Sequence, residues 1–329
     1  MAKKTTPKLK VLWITDKWAS LDHPRDTSLR LMEESLKMGW QCWWCSSADL
    51  SLQNDGIKVR VRARADQVKS VSEDRSASSF QWGDSQVFEI AQFDQVHLRI
   101  DPPVDHRYIH LVQLLNFGLT GKHQRKLVNP AMALLTLNEK MTPFLDPKIA
   151  PQAMVACDWE NLLKQGQIFQ TAVSKPLHQA QSKGVEKVSF KELNDLDASR
   201  KELGFLSNQF SELIMLQQFL PGITAGETRI WFVDGKVLAT VRKIPQAGEF
   251  KIDMDRGSTV QAHTLTKEEK KQIPKIQKIL NANQVRLAAI DLIDGRVSDF
   301  NVTSPGLIVQ MEKVLGRNLA IEVLRGLAG

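Results

Sequence analysis

Near its C-terminal end the chain reads "AAIDLIDGRVSDFNVTSP", two short apolar segments around Asp294-Gly295 that carry Asp291, Asp299 and Asn301. Asp-Gly is a hairpin turn signal, so the segments read as adjacent antiparallel strands. Side chains alternate along a strand with period two, which puts Asp299 and Asn301 on one face. Where Asp291 points depends on the turn. A two-residue loop pairs Asp291 with Ser298 and turns Asp299 away. A three-residue loop, Asp294-Gly295-Arg296 with a glycine bulge, pairs Asp291 with Asp299 and brings all three oxygens together. Converging hard oxygens suit magnesium that also holds substrate phosphates. A solvated strand face is the plain alternative.

Two isolated cations lie among apolar residues, Lys140 in "NEK" and Lys175 in "SKPL". A lysine at a strand end suits phosphate, because its point charge on a flexible stem follows a moving group. Taken singly, such a lysine more often lies along the surface with its head in water. Cys42 and Cys45 have Cys-x-x-Cys spacing but sit in "WQCWWC", which reads as a strand, and with Cys157 they form no zinc set or disulfide framework. His106 and His110 fall four apart on a helix without an acidic residue in zinc-enzyme spacing. No Ser-His-Asp or Cys-His nucleophile is apparent.

These residues need elements to hold them. "KVLWITD", "SLRLMEESLKMG" and "WQCWWC" give β-α-β, the order of a parallel sheet with packed helices. Asp26, Thr27 and Ser28 are the helix-capping candidates, and Gly39 is its stop. Residues 64–90 are polar without a clean period and read as a surface excursion. "QVHLRID" is a strand, and "DPPVDHRYIHLVQLLNFG" enters a helix with Ile109, Val112 and Leu115 or Phe117 inward. A helix from "ALLTLNEKMTPFL" runs to Pro143. Strands follow in "FQTAVSKPL" and "ELIMLQQFLPG", then hairpins turning at Asp234-Gly235 and Asp294-Gly295, with an amphipathic helix, "TLTKEEKKQIPKIQKILNAN", between them. The expected organisation is a basic tail over 1–9, an α/β unit over 10–125, and a second unit over 126–329. The second divides into a central lid of about 145–212 and an antiparallel part over 213–329.

In order and with nearly matching gaps, "DPPVDHRYI", "VNPAMALLTLNEK", "SKPL", "LQQFLP", "GETRIWFVDG", "RKIPQAGEF" and "IDLIDGRVSDFNVTSP" resemble the bacterial glutathione synthetases of the ATP-grasp superfamily, from about Lys10 to Arg325. The resemblance implies an α/β fold with a parallel-sheet N-terminal domain, a small lid and an antiparallel C-terminal sheet. It implies ATP and magnesium as cofactors, with Lys140 and Lys175 on the phosphates. Gln217, Gln218, Phe219 and Leu220 match the adenine hinge, and Glu227 stands where the family has an aspartate on the ribose. Arg229 faces the transferred phosphate or the acyl-phosphate. Asp291, Asp299 and Asn301 fall on the metal ligands, Asp299 in place of a glutamate. Arg99, Asp101, Thr303 and Ser304 sit where the peptide substrate is held.

Two stretches depart from the family. After Lys-Pro-Leu the relatives carry a glycine-rich loop whose amides close on phosphate, whereas this chain has His178-Gln179-Ala180-Gln181-Ser182, with Gly184 nearby. Ser182 and Lys183 are the side-chain substitutes. In the family's mobile lid over the reacting groups, a stretch of the antiparallel part separate from the central unit of 145–212, "QAGEFKIDMD" replaces an arginine fork and a glycine, and Lys251 is the retained cation.

Composition bounds the rest. With 329 residues, 42% hydrophobic and 25% charged, the chain is an ordinary globular protein of more than one core. It has no apolar run of membrane-spanning length and no leader-like start, so it reads as cytoplasmic without a membrane partner. The charge of +7 is scattered, with no run of five like charges, and argues against a nucleic-acid partner. Two functional classes fit. One is an ATP-dependent carboxylate-amine ligase acting on a small peptide or amino acid, with a homodimer or homotetramer implied by the resemblance. The other is a binding protein that keeps the fold without turnover.

Overall fold

The computed structural model describes residues 8–328, so most of the expected tail lies outside the described residues. The first unit contains β1 (Lys10–Thr15), α1 (Thr27–Lys37), β2 (Gln41–Ser46), β3 (Leu50–Asn54), β4 (Val59–Ser70), β5 (Gln81–Glu89), β6 (Gln95–Arg99), α2 (His106–Gly118) and β7 (Leu127–Val128). Its sheet runs β3-β4-β2-β1-β6-β7, with β5 also on β4. The stretch β2-β1-β6-β7 is parallel, as the β-α-β order requires, and β4 pairs antiparallel with its neighbours. Asp26 caps α1 by accepting from the Leu29 amide, and Gly39 leaves the helix with φ 79°.

Residues 64–90 are not an irregular excursion. They form most of β4 and all of β5, a long antiparallel pair. The backbone ladder holds β5, whose side chains are mostly exposed, so there is no hydrophobic period to read. On α2 the inward residues are Tyr108, Leu111, Val112 and Leu115, while Ile109 and Phe117 are exposed. The helix is therefore rotated from the expected stripe.

The helix expected to reach Pro143 stops early. After α3 (Ala131–Thr136) the Asn138 side chain accepts from the amides of Lys140 and Met141, which turns the chain and leaves Lys140 at the bend. The next unit has β8 (Ala153–Ala156), α4 (Trp159–Phe169), β9 (Thr171–Pro176), β10 (Glu186–Ser189), α5 (Leu193–Leu206) and β11 (Ile214–Gln218), its sheet in the order β10-β9-β11-β8. Ala172, Ile214 and Leu216 pack against α4 and α5. The opposite face, with Val173, Lys175 and Gln217, lines the cleft.

The last unit comprises β12 (Glu227–Val233), β13 (Lys236–Ile244), β14 (Thr259–Ala262), α6 (Lys267–Ala282), β15 (Leu287–Ile293), β16 (Arg296–Asn301), α7 (Ile308–Leu315) and α8 (Leu319–Leu327). Its antiparallel sheet runs β14-β13-β12-β15-β16. Both expected hairpins turn on Asp-Gly pairs with positive φ, 44° and 72° at Asp234-Gly235 and 51° and 69° at Asp294-Gly295. Ile230, Phe232, Ile290 and Phe300 face α6, where Ile276, Ile279 and Leu280 complete a core. The other face joins the first unit's core at Trp231 and Ala289 and opens to the cleft beyond them.

Candidate active site

The register of the last sheet gathers the charges. Arg229 is opposite Asp291, Asp291 opposite Asp299, and Glu227 opposite Lys243, so all five share one face. The turn between β15 and β16 has two residues, Ile293 pairing with Arg296 and Leu292 with Val297. The ladder then shifts at Ser298, so Asp291 pairs with Asp299 despite the short turn. The carboxylates meet as the three-residue alternative required, but a bulge inside the strand brings them together.

Arg229 holds Asp291 through Nε at 2.8 Å and Nη2 at 2.6 Å. Lys243 Nζ lies 2.6 Å from Glu227 Oε2 and 3.0 Å from Asp291 Oδ2. Ser298 Oγ donates to Glu227 Oε1 at 2.7 Å, and Lys175 Nζ donates to the Ser298 carbonyl at 3.2 Å while lying 3.6 Å from Asp299. Burial pushes the Asp291 carboxyl up, but Arg229 and Lys243 outweigh it and hold the group well below the carboxylate range. Glu227 goes the other way, raised by burial and by the neighbouring Asp291 and Asp299 against the pull of Lys243. Each of its oxygens receives one donor within the site and keeps a further lone pair for a ligand.

The remaining walls come from other units. Lys140 is buried and donates to the Gln179 carbonyl of the glycine-poor loop. Neighbouring Glu139 accepts from Thr303 Oγ1 at 2.7 Å, its carboxyl raised by burial. Arg99 Nε donates to Ser28 Oγ at 3.1 Å and Nη2 to the Pro305 carbonyl at 2.7 Å, while Nη1 is buried without a partner. Asp101 stands beside Arg99 on the same wall. Together these residues enclose a cavity of ≈ 820 Å³ whose wall also includes Ser182, Lys183, Phe219, Leu220, Lys251, Asn301 and Ser304. Among the expected site residues only Gln218 is off this wall, because strand alternation turns its side chain from that of Gln217.

The glycine-poor loop lines this cavity from Gln179 to Lys183. Gln181 and Ser182 take φ 56° and 58°, a left-handed geometry that costs a residue with a side chain about 1–2 kcal/mol. Lys251 Nζ is 2.7 Å from Glu186 Oε1, so the lid's cation is engaged by β10.

Carboxylates, lysines and an arginine thus converge between two sheets. The family description "Prokaryotic glutathione synthetase, ATP-grasp domain" matches residues 139–316, and that of the same family's N-terminal domain matches residues 9–134. The chain belongs to the prokaryotic glutathione synthetase family. Glutathione synthetase of Prochlorococcus marinus subsp. pastoris is 25% identical over 97% of this chain and 99% of its own. That of Neisseria meningitidis serogroup A is 28% identical over 95% and 96%. The solved ATP-grasp ligase PsnB with its minimal precursor covers 98% of both chains at 13% identity and TM-score 0.65. D-cycloserine synthetase DcsG covers 97% of this chain and 100% of its own at 14% and 0.63. These structures share the ATP-grasp fold.

Within this glutathione synthetase family member, the donor set fits magnesium. One oxygen each from Glu227, Asp291 and Asp299 lies within 4.8 Å of the others, and Asn301 Nδ2 donates to Asp291 and to the Ala289 carbonyl, which leaves its amide oxygen for a ligand. Glu227 thus stands beside the expected Asp291, Asp299 and Asn301 as a carboxylate within reach of the same ion. Lys243 was not legible from sequence, because its pairing with Glu227 depends on a second register shift, in β12–β13 between Trp231 and Phe232. Glu139 could have been found, since it sits inside "NEK" beside Lys140.

Proposed function

We propose that the chain is an ATP-dependent ligase that activates the carboxylate of a small peptide as an acyl-phosphate and joins it to an amine. The observation that carries this is the meeting, around one cavity, of Lys140, Lys175, Arg229 and the carboxylates of Glu227, Asp291 and Asp299 from separate units. Whole-length similarity to glutathione synthetases favours turnover over a binding protein that only keeps the fold.

Lys140 and Lys175 would bind the nucleotide phosphates and orient them toward the peptide carboxylate. The base would lie against the Gln217–Leu220 segment. A magnesium ion held by Asp291, Asp299 and Asn301 would neutralise phosphate charge when bound. Arg229, freed from Asp291, would face the charge that develops as a carboxylate oxygen attacks the γ-phosphorus and ADP leaves. The amine then adds to the acyl carbon, loses a proton and expels phosphate. Arg99 Nη1 would take a carboxylate of the peptide, with Asp101, Thr303 and Ser304 beside it. Positioning and charge account for the chemistry, with no side-chain nucleophile.

The finer reading, resting on the relatives' names, is glutathione as product; a symmetric homo-oligomer in solution rests on the family resemblance alone. The first test is calorimetry of ATP with and without magnesium, on the wild type and Lys175→Ala. Magnesium-dependent micromolar binding lost in the variant is expected, and no binding at millimolar ATP overturns the ligase reading. ADP release with γ-glutamylcysteine and glycine then tests the product.

A further inference from the structure

A glycine-rich loop closes by laying backbone amides on phosphate, so its closure waits for the nucleotide. The loop in this chain is held differently. Its two consecutive left-handed residues with side chains, Gln181 and Ser182, are also the two that reach out of it. Gln181 Nε2 donates to Asp101 Oδ2 at 3.1 Å, on the first unit, and Ser182 Oγ donates to the Ile252 carbonyl at 3.1 Å, on the lid. The loop backbone is tied as well, the His178 carbonyl accepting from the Val104 amide at 3.0 Å. Strained geometry persists where the surroundings over-determine it, and here the strained residues supply those ties themselves.

We propose that Gln181 and Ser182 are positioning residues that latch the phosphate loop over the cleft before nucleotide arrives, by side-chain bonds to Asp101 and Ile252 in place of glycine amides on phosphate. Their catalytic consequence rests on the ligase reading, but the latch itself does not. The segment that carries Ile252 is also joined to β10 through Lys251–Glu186 at 2.7 Å and to the first unit through Arg25–Asp255 at 2.9 Å.

Lys183, exposed in the loop, makes the latch measurable by limited trypsin digestion with cleavage sites read by mass spectrometry. Without nucleotide, the wild type is expected to resist cleavage at Lys183, and the Gln181→Ala/Ser182→Ala double variant to be cut there roughly tenfold faster. Gln181→Gly, which relieves the backbone strain but also removes the tie, should be cut faster too. Asp101→Asn keeps an acceptor and should stay protected. With substrates that support turnover, the double variant should raise the KM for ATP more than it lowers kcat. Equal cleavage of wild type and double variant at unchanged thermal stability overturns the proposal, as does wild-type cleavage that slows only when ATP is added. Because digestion is read without substrate, failure of the ligase reading leaves this result standing. If the double variant does not fold, Gln181→Ala alone decides.

Discussion

Asp291 and Asp299 face each other across β15 and β16 because Ser298 is an extra residue in the ladder. The bulge moves Asp299 to the face that a two-residue turn would deny it, and the displaced residue is used. The Ser298 hydroxyl donates to Glu227 and its carbonyl receives Lys175, so one irregularity connects the acids to a phosphate-binding candidate.

Ser298→Ala keeps the bulge but removes the donor to Glu227. With the hydroxyl gone from a buried site, a loss of about 1–2 kcal/mol in urea unfolding is expected, with an unchanged far-ultraviolet spectrum.

Asp291 and Asp299 should separate by stability rather than by activity. Asp291→Asn leaves Arg229 and Lys243 facing a neutral amide in a buried site, a loss of about 3–5 kcal/mol. Asp299 is partly exposed and 3.6 Å from Lys175, and Asp299→Asn should cost less than about 1 kcal/mol. Both variants should lose magnesium-dependent nucleotide binding in calorimetry.

Asn129 joins the first unit to the last sheet with four bonds. Its Nδ2 donates to the Leu287 and Val302 carbonyls at 2.7 and 2.8 Å, and its Oδ1 accepts from the amides of Arg286 and Leu287 at 2.8 and 2.9 Å. Asn129→Ala should destabilise by about 3 kcal/mol or more, since several buried backbone groups lose their partners at once. Asn129→Asp cannot donate to the two carbonyls and should not rescue it.

His97 sets an acid limit. Its ring is fully buried, stacked on Trp13 with centroids 4.2 Å apart, and burial together with Arg99 and Arg286 pushes its pKa down to about 3. Below the ordinary value of about 6.5 the unfolded chain takes up a proton that the folded chain refuses, so stability falls with pH, by up to about 1.4 kcal/mol per unit, until the ring titrates near 3. The difference in unfolding free energy between wild type and His97→Phe should shift against the wild type between pH 6.5 and 5 and stay constant above pH 7.

Much of this protein is written locally. The Asp-Gly turns, the Asp26 cap and the Gly39 stop are decided by neighbours a few residues away, and the family motifs put nearly every expected site residue on the cavity wall. Long-range pairings stayed hidden. β5 has no hydrophobic face to announce it, and the rotation of α2 depends on what packs against it.

The sequence by itself determined which chemical groups are available to the proposed phosphate and metal sites, because residue type fixes chemical capacity. Tertiary structure decided their state: Arg229 and Lys243 on Asp291, Glu227 among the acids, and a phosphate loop without the family's glycines tied by Gln181 and Ser182. The physical reason is register. One extra residue in a strand changes which side chains meet across the ladder, and nothing local in the sequence records where the sheet will accommodate it.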